Sequence, residues 1–316
     1  MNQARVCVVG PLSIDTTATV KRLPKPGETV DGISAIRAPG GKGATQAVAA
    51  ARAGAEVSII GRVGRDEEGV LLRSTLRREP IHTVGLADSW NEPTGTCYIT
   101  VGERGQSTSV VVAGANAQLE PGDIDEAREQ IEKAAVVLIT FEIQQATVLR
   151  AAQIARASGV RVVLNAAPAR PIDPALGAMV DLLVINHHEA RIIADYTGTS
   201  DEELEARLAK LGPPAVLMTL GAAGSVLLLN GERHHIPVWG VAAIDTSGAG
   251  DIGIGAIAAE WARESGEPDS KAPAMERLPD AARFAAAAGS IAVTRRGGRA
   301  SAPPPGAIEE MGAQAV

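Results

Sequence analysis

The stretch from Val241 to Ala259, VAAIDTSGAGDIGIGAIAA, holds the residue types best suited to chemistry. A short strand is expected to run into Gly248, Ala249 and Gly250, with Asp251 opening an apolar helix. Glycine lets successive backbone N–H groups point into one concavity, and the positive end of the helix dipole adds to them. Such a turn can hold an anion, and the adjacent carboxylate would face whatever that anion is bonded to. The plainer alternative makes Asp251 an N-cap and nothing more. Gly248, Gly250 and Gly253 also fit G-x-G-x-x-G. No second strand ending in an acid follows in AIAAEWARESGEPDSK, which disfavours a nicotinamide or flavin site.

A second glycine cluster, Pro39-Gly40-Gly41-Lys42-Gly43, leads into the helix ATQAVAAARAG. It is not a Walker A loop, because Gly43 stands where a magnesium-binding Ser or Thr is required. Bare backbone here admits a ligand closely, and equally admits close helix packing. Asp15 follows the first strand at its C-terminal end, where ligands of open α/β sheets bind. Asn186 and Glu189, in NHHE, are three residues apart on an expected first helical turn and can face one metal-bound water or phosphate. His187 and His188 are splayed apart, as are His234 and His235 on a strand, so neither pair suits zinc. His82 stands alone, and no Ser/His/Asp order or H-E-x-x-H suggests hydrolysis.

These residues need a scaffold, and the pattern supplies an α/β one. Short β-branched runs alternate with Ala/Leu/Glu/Arg segments at helical spacing, as in an open, mostly parallel sheet with helices on both faces. The expected parallel strands are Val6–Val9, Val57–Gly61, Val136–Thr140, Val160–Asn165, Leu182–Asn186 and Val216–Thr219. The expected helices are Gly43–Ala53, Asp66–Glu79, Asp123–Lys133, Ala146–Ala157, Asp201–Leu211, Asp251–Glu264 and Pro279–Thr294. Ser225–Leu229 and Glu232–Ile236 flank Asn230-Gly231, which suits a type I′ hairpin turn. Two stretches lack intervening helix: Thr16–Ile36, broken by Pro24, Pro26 and Gly27, and Thr94–Val112, broken by Gly102 and Gly105. Together they suggest a small β flap standing off the main sheet of a single domain spanning 1–316. From Ala302, Pro303-Pro304-Pro305 reads as an extended connection before a short last helix.

Composition narrows the function. The 316 residues are 45% hydrophobic, with 30 basic against 37 acidic side chains and a net charge of −7. A grip on nucleic acid needs a surplus of basic residues on one face. Seven aromatic residues make a poor base-stacking platform. Cys7 and Cys97 are too few for a disulfide framework or thiolate metal site, which points to a reducing compartment. With no run of 18 apolar residues, a soluble cytoplasmic protein without membrane or nucleic-acid partners is expected.

Several clusters together resemble the ribokinases, of the phosphofructokinase-B type of carbohydrate kinases. The resemblance runs through VVGPLSID, PKPGETV, APGGKGATQAVAAARAGAEV, GRVGRDEEG, VVAGANAQL, LNAAPAR, NHHEA, MTLGAAGS, DTSGAGD and IAVTRRGGRAS. It implies a ribokinase-like three-layer α/β sandwich with a β lid, MgATP as phosphate donor, and a sugar or nucleoside hydroxyl as acceptor, ribose first among candidates. A homodimer through the lid is implied as well. By resemblance, Asp251 is the catalytic base and Gly248, Ala249 and Gly250 form the anion hole. Ser13, Asp15, Gly40, Gly41, Lys42, Thr45 and Glu142 match sugar-contacting positions. Asn186 and Glu189 match the motif that organises magnesium and phosphate, and Thr219, Gly221 and Gly224 match nucleotide-contacting positions. Asp245, Ser247, Ala292, Arg295, Gly297 and Ser301 fall where the family binds an activating potassium ion.

The chain departs from that pattern at Ser13 and Thr45, where the family carries Asn, and at Pro39, usually aromatic or apolar. Ile252-Gly253-Ile254 replaces a more polar run after the base, and Ala286 stands where an Asn near adenine is common. Another pentose, a deoxysugar or a nucleoside is therefore an alternative acceptor. A non-catalytic sugar- or nucleotide-binding relative is the rival from a different class.

Overall fold

The computed structural model describes residues 4–103, 106–263 and 273–314. Gly105 and Glu264, two positions used above as a breaker and a helix end, lie outside the described residues. Nine strands make the main sheet: β1 Arg5–Val9, β4 Glu56–Gly64, β5 Ile81–Ser89, β8 Val136–Thr140, β9 Arg161–Asn165, β10 Leu182–Asn186, β11 Ala215–Thr219, β12 Ser225–Leu229 and β13 Glu232–Ile236. Their order is β13-β12-β11-β10-β9-β8-β1-β4-β5. All neighbours from β11 to β5 are parallel, and β12 and β13 add antiparallel pairs at one edge.

The central strands are apolar on both faces because helices cover both. Val6 and Val8 of β1 join one core, while Cys7 and Val9 join the other. On the first face lie α1 Lys42–Arg52, α2 Glu67–Leu76, α9 Ala249–Arg263, α10 Leu278–Ala292 and α11 Pro305–Gly312. On the second lie α3 Pro121–Glu126, α4 Arg128–Glu132, α5 Gln145–Ala157, α6 Pro174–Gly177, α7 His187–Ile193 and α8 Asp201–Leu208. The chain leaves β1 to build β4 and β5 on one side, then returns to place β8 on the other. Ligands of open sheets bind at such a reversal, outside the carboxyl ends of the strands.

The remaining strands, β2 Ser13–Val20, β3 Gly32–Gly40, β6 Gly95–Gly102 and β7 Ser107–Val112, form a separate sheet in the order β3-β2-β6-β7. This is the expected lid, with strands beginning and ending a few residues from the expected limits. Asn230 and Gly231 both have positive φ, as the type I′ turn requires.

Three expectations need correction. No strand forms over 241–247. That segment is a loop, stitched by the Ile244 and Asp245 N–H groups to the Val293 carbonyl. The single helix expected over Asp123–Lys133 is two, α3 and α4, meeting at Ala127. Strand β5 was not foreseen; its alternation is blurred by Gly85 and by polar residues suited to a sheet edge.

Candidate active site

Two close approaches build the floor. A Cβ on Gly43 would come within 2.6 Å of the Gly10 carbonyl carbon, so α1 can sit against the end of β1 only with glycine there. A Cβ on Gly255 would lie 2.4 Å from the Gln46 carbonyl oxygen and 2.7 Å from Ala49 Cβ, so α1 and α9 touch backbone to backbone. Small residues therefore bring Lys42 and Gln46 of α1 up to Asp251 of α9. The Asp251 carboxylate accepts from Gln46 Nε2 at 2.8 Å through Oδ1, and Lys42 Nζ lies 3.9 Å from Oδ2.

Asp251 is the third residue of α9, not its N-cap, and its side chain is turned toward α1. The cap-only alternative is thereby removed. Gly248 takes φ +73°, in the left-handed region, and feeds the helix. The Ala249 N–H donates to the Thr246 carbonyl at 3.3 Å, whereas the N–H groups of Gly250 and Asp251 have no acceptor among the described residues. Free donors at the positive end of a 15-residue helix can stabilise negative charge.

These groups open onto a cavity of about 240 Å³, lined by Lys42, Asn186, Glu189, Thr219, Gly248, Gly250 and Asp251, with Asn165, Ala167, Val184, Ile185 and Ile254. Asn186 and Glu189 sit on its wall as a capping box. The Glu189 N–H donates to Asn186 Oδ1 at 2.8 Å, and the Asn186 N–H donates to Glu189 Oε2 at 2.8 Å. Both residues line the cavity, with Asn186 Oδ1 and Glu189 Oε2 engaged locally. Thr219 reaches the cavity, but Gly221 and Gly224 do not line it. Gly224, at φ +88°, closes the turn by accepting from the Leu220 N–H at 2.8 Å.

Asp15 lies in the lid strand β2, not at the end of β1. Ser13 Oγ donates to Asp15 Oδ1 at 2.6 Å, so this hydroxyl orients the carboxylate. A Cβ on Gly40 would lie 2.0 Å from Asp15 Oδ2, which reserves that position for glycine, and Gly41 takes φ +89°. Thr45 is buried on α1. Glu142 follows the carboxyl end of β8.

The cluster is electrostatically tense. Burial pushes the Glu142 carboxyl up to about 7, opposed by Lys42 and reinforced by Asp251 and Asp15. Burial likewise raises the Asp15 carboxyl, against the hydrogen bonds from Ser13 and Gly41. The Asp251 charge raises Lys42 against the effect of burial, so its ammonium is firmly held. Cys97, paired in register with Asp15, is pushed up to about 11 by burial and by Asp15 and Glu142.

Beside the anion-binding turn, Asp245 accepts from the Ser247 N–H at 2.9 Å and from the Gly297 N–H at 3.0 Å. Burial works against its charge, but these bonds hold its carboxyl below the ordinary value. Asp245, Ser247 and Gly297 are thus joined. The Ala292 carbonyl accepts from the Arg295 N–H at 3.1 Å, and Ser301 Oγ donates to the Gly298 carbonyl at 2.7 Å. Sequence reasoning missed Gln46 and Asn165 as members of the site, because an amide inside an alanine-rich helix and another at a strand end carry no local signature.

The Asp251 carboxylate beside free helix donors on an α/β sheet fits a phosphotransferase acting on a small polar acceptor. The particular family follows from residues 3–305, which match the model of the pfkB family carbohydrate kinases, and the chain belongs to that family. It is 32% identical over 303 residues to a ribokinase of Staphylococcus aureus (strain COL), covering 95% of this chain and 96% of that one. It is 38% identical over 262 residues to a ribokinase of Mus musculus, covering 81% of each chain. The fold matches that of Arabidopsis thaliana ribokinase complexed with ribose and ATP with a TM-score of 0.87, at 28% identity, over 99% of this chain and 100% of that one.

Proposed function

We propose that the protein is an ATP-dependent kinase that phosphorylates the primary hydroxyl of a small sugar, with ribose giving ribose 5-phosphate as the first substrate. The observation that carries this is Asp251, aimed away from its own helix and onto the cavity wall beside the free N–H groups of Gly250 and Asp251. Lys42, Asp15 and Glu142 bind and orient the acceptor from the lid side, with Gly40 and Gly41 leaving their backbone open to it. The acceptor hydroxyl donates its proton to the Asp251 carboxylate as its oxygen attacks the γ-phosphorus, and the bond from that phosphorus to the ADP oxygen breaks in line. The helix N–H groups bear the charge that develops on the transferring phosphoryl oxygens.

Glu189 keeps Oε1 without a partner among the described residues, a hard oxygen on the cavity wall that suits magnesium through water. Magnesium held there with Asn186 would neutralise phosphate charge. Asp245, ionised and tied to Gly297, with the carbonyls of Ser247, Ala292, Arg295 and Gly297 and Ser301 nearby, suits a potassium ion that would stiffen the turn at Gly248. The lid exposes Tyr98 and Val110, which pair in register on the face opposite Asp15, and this supports a homodimer through the lid. No helix among the described residues is long and apolar enough to cross a membrane, and Cys7 and Cys97 are both free, in keeping with a cytoplasmic site.

ADP release should depend on ribose, and the product should be ribose 5-phosphate. If neither pentoses, deoxysugars nor nucleosides support ADP release, the kinase reading fails and a binding protein remains.

A further inference from the structure

A carboxylate at the third position of a helix can reach back to a free backbone N–H at the helix start, as in a capping box. Were Asp251 to do so, it would fill the anion-binding turn and withdraw the base in one movement. The geometry points to Gln46 as the positioning residue that prevents this, an inference that rests on the kinase reading above.

Gln46 is fully buried on α1, and both hydrogens of its Nε2 are committed: one to Asp251 Oδ1 at 2.8 Å, the other to Asn165 Oδ1 at 3.1 Å. Asn165, itself buried at the end of β9, donates through Nδ2 to the Val184 carbonyl of β10 at 3.3 Å. The chain of bonds runs from the sheet through α1 to α9. It fixes which end of each amide points where, because exchanging oxygen and nitrogen of Gln46 would set its oxygen against two acceptors. Asp251 Oδ1 is held toward α1, and Oδ2 is left facing Lys42 and the cavity. The Gly250 and Asp251 N–H groups are left free for phosphate.

A second observation separates this role from packing. Gln46 Oε1 is buried without a hydrogen-bond partner among the described residues. An orphaned acceptor is destabilising, and methionine would fill the same space without it. The residue is thus kept for the two hydrogens of its amide, which join Asp251 to Asn165, and not for its oxygen.

The test is Gln46→Met, with Gln46→Leu as a second variant should the first not fold, each also combined with Asp251→Asn. Wild-type turnover is measured first, so that absence of kinase activity is read against the kinase proposal and not against Gln46. Gln46→Met should lower kcat about tenfold through loss of a charge-assisted hydrogen bond and leave KM for ribose and ATP within about twofold, while the melting temperature falls modestly because Asn165 Oδ1 loses its donor. In the Asp251→Asn background the same substitution should cost less than about twofold, because the side chain it orients can no longer take the proton. A crystal structure of Gln46→Met should show Asp251 turned onto its own helix N–H groups, a readout that needs no turnover. Unchanged kcat, equal losses in both backgrounds, or an Asp251 that keeps its orientation without the amide would each overturn the proposal.

Discussion

Glu142→Gln should make the protein more stable at pH 8 and leave it nearly unchanged at pH 4.5. The Glu142 carboxyl keeps its proton up to about 7 in the folded protein, against an ordinary value of 4.5 in the unfolded chain, chiefly because it is buried. Below 4.5 both states hold the proton and the group contributes no difference. Between 4.5 and 7 the unfolded chain releases a proton that the folded one retains, so stability falls as pH rises. Above about 7 the loss is complete. The displacement is worth about 3 kcal/mol, and in a chain of this size that corresponds to a melting temperature lower by on the order of 5 °C. Glutamine keeps the shape without the charge. Thermal unfolding of both proteins from pH 4.5 to 8, without sugar or nucleotide, should give curves that converge at the acid end and separate toward neutrality. Asp15, also raised by burial, leaves a residual slope of the same sign in the variant. Parallel curves, or a variant less stable at pH 8, would refute the assignment of a buried, reluctantly ionised Glu142.

Asp251→Asn should lower phosphoryl transfer by about 10²–10⁴-fold while ATP affinity changes little, since an amide oxygen can still accept from Gln46; retention of a tenth of the activity would deny it the role of base. Potassium should raise the rate over a bulky organic cation at constant magnesium, through the loop that Asp245 ties to Gly297; a flat titration would mean that no cation acts there. Gly40→Ala should raise KM for the sugar more than it alters kcat, because the new methyl would overlap the Asp15 carboxylate; unaltered KM would take Asp15 out of sugar binding. Hydrogen exchange in the lid strands β2, β3, β6 and β7 should slow on sugar binding, and equal exchange with a confirmed ligand would exclude the lid from closure.

The parts of this molecule legible in the sequence are those whose physics is local. Runs such as Val136–Thr140 and Leu182–Asn186 announce buried parallel strands, and Asn230-Gly231 announces its turn. The lid showed itself as two stretches that broke the alternation. The glycines around Lys42 and Asp251 marked the two halves of the site, and the resemblance to carbohydrate kinases joined them. What stayed hidden depends on partners distant in the chain. Gln46 is one polar residue among alanines until α9 is laid against it, and Ser13 gives no sign that its hydroxyl serves Asp15. The capping box at Asn186 and Glu189 is written locally in NHHE, because its two bonds join residues only three apart.

The bond between Gln46 and Asp251 spans 205 residues. A ribosome adding about 5–20 residues each second needs roughly 10–40 s to travel from one to the other. For that interval the nascent chain holds α1, the lid strands β2 and β3, and later Glu142, but no α9 to cover the alanine face of α1. The acceptor side of the site is made long before the side that acts on it. Catalysis is therefore withheld until α9 has been made, and the same delay leaves a narrow apolar strip along α1 that the growing chain must keep from other partners.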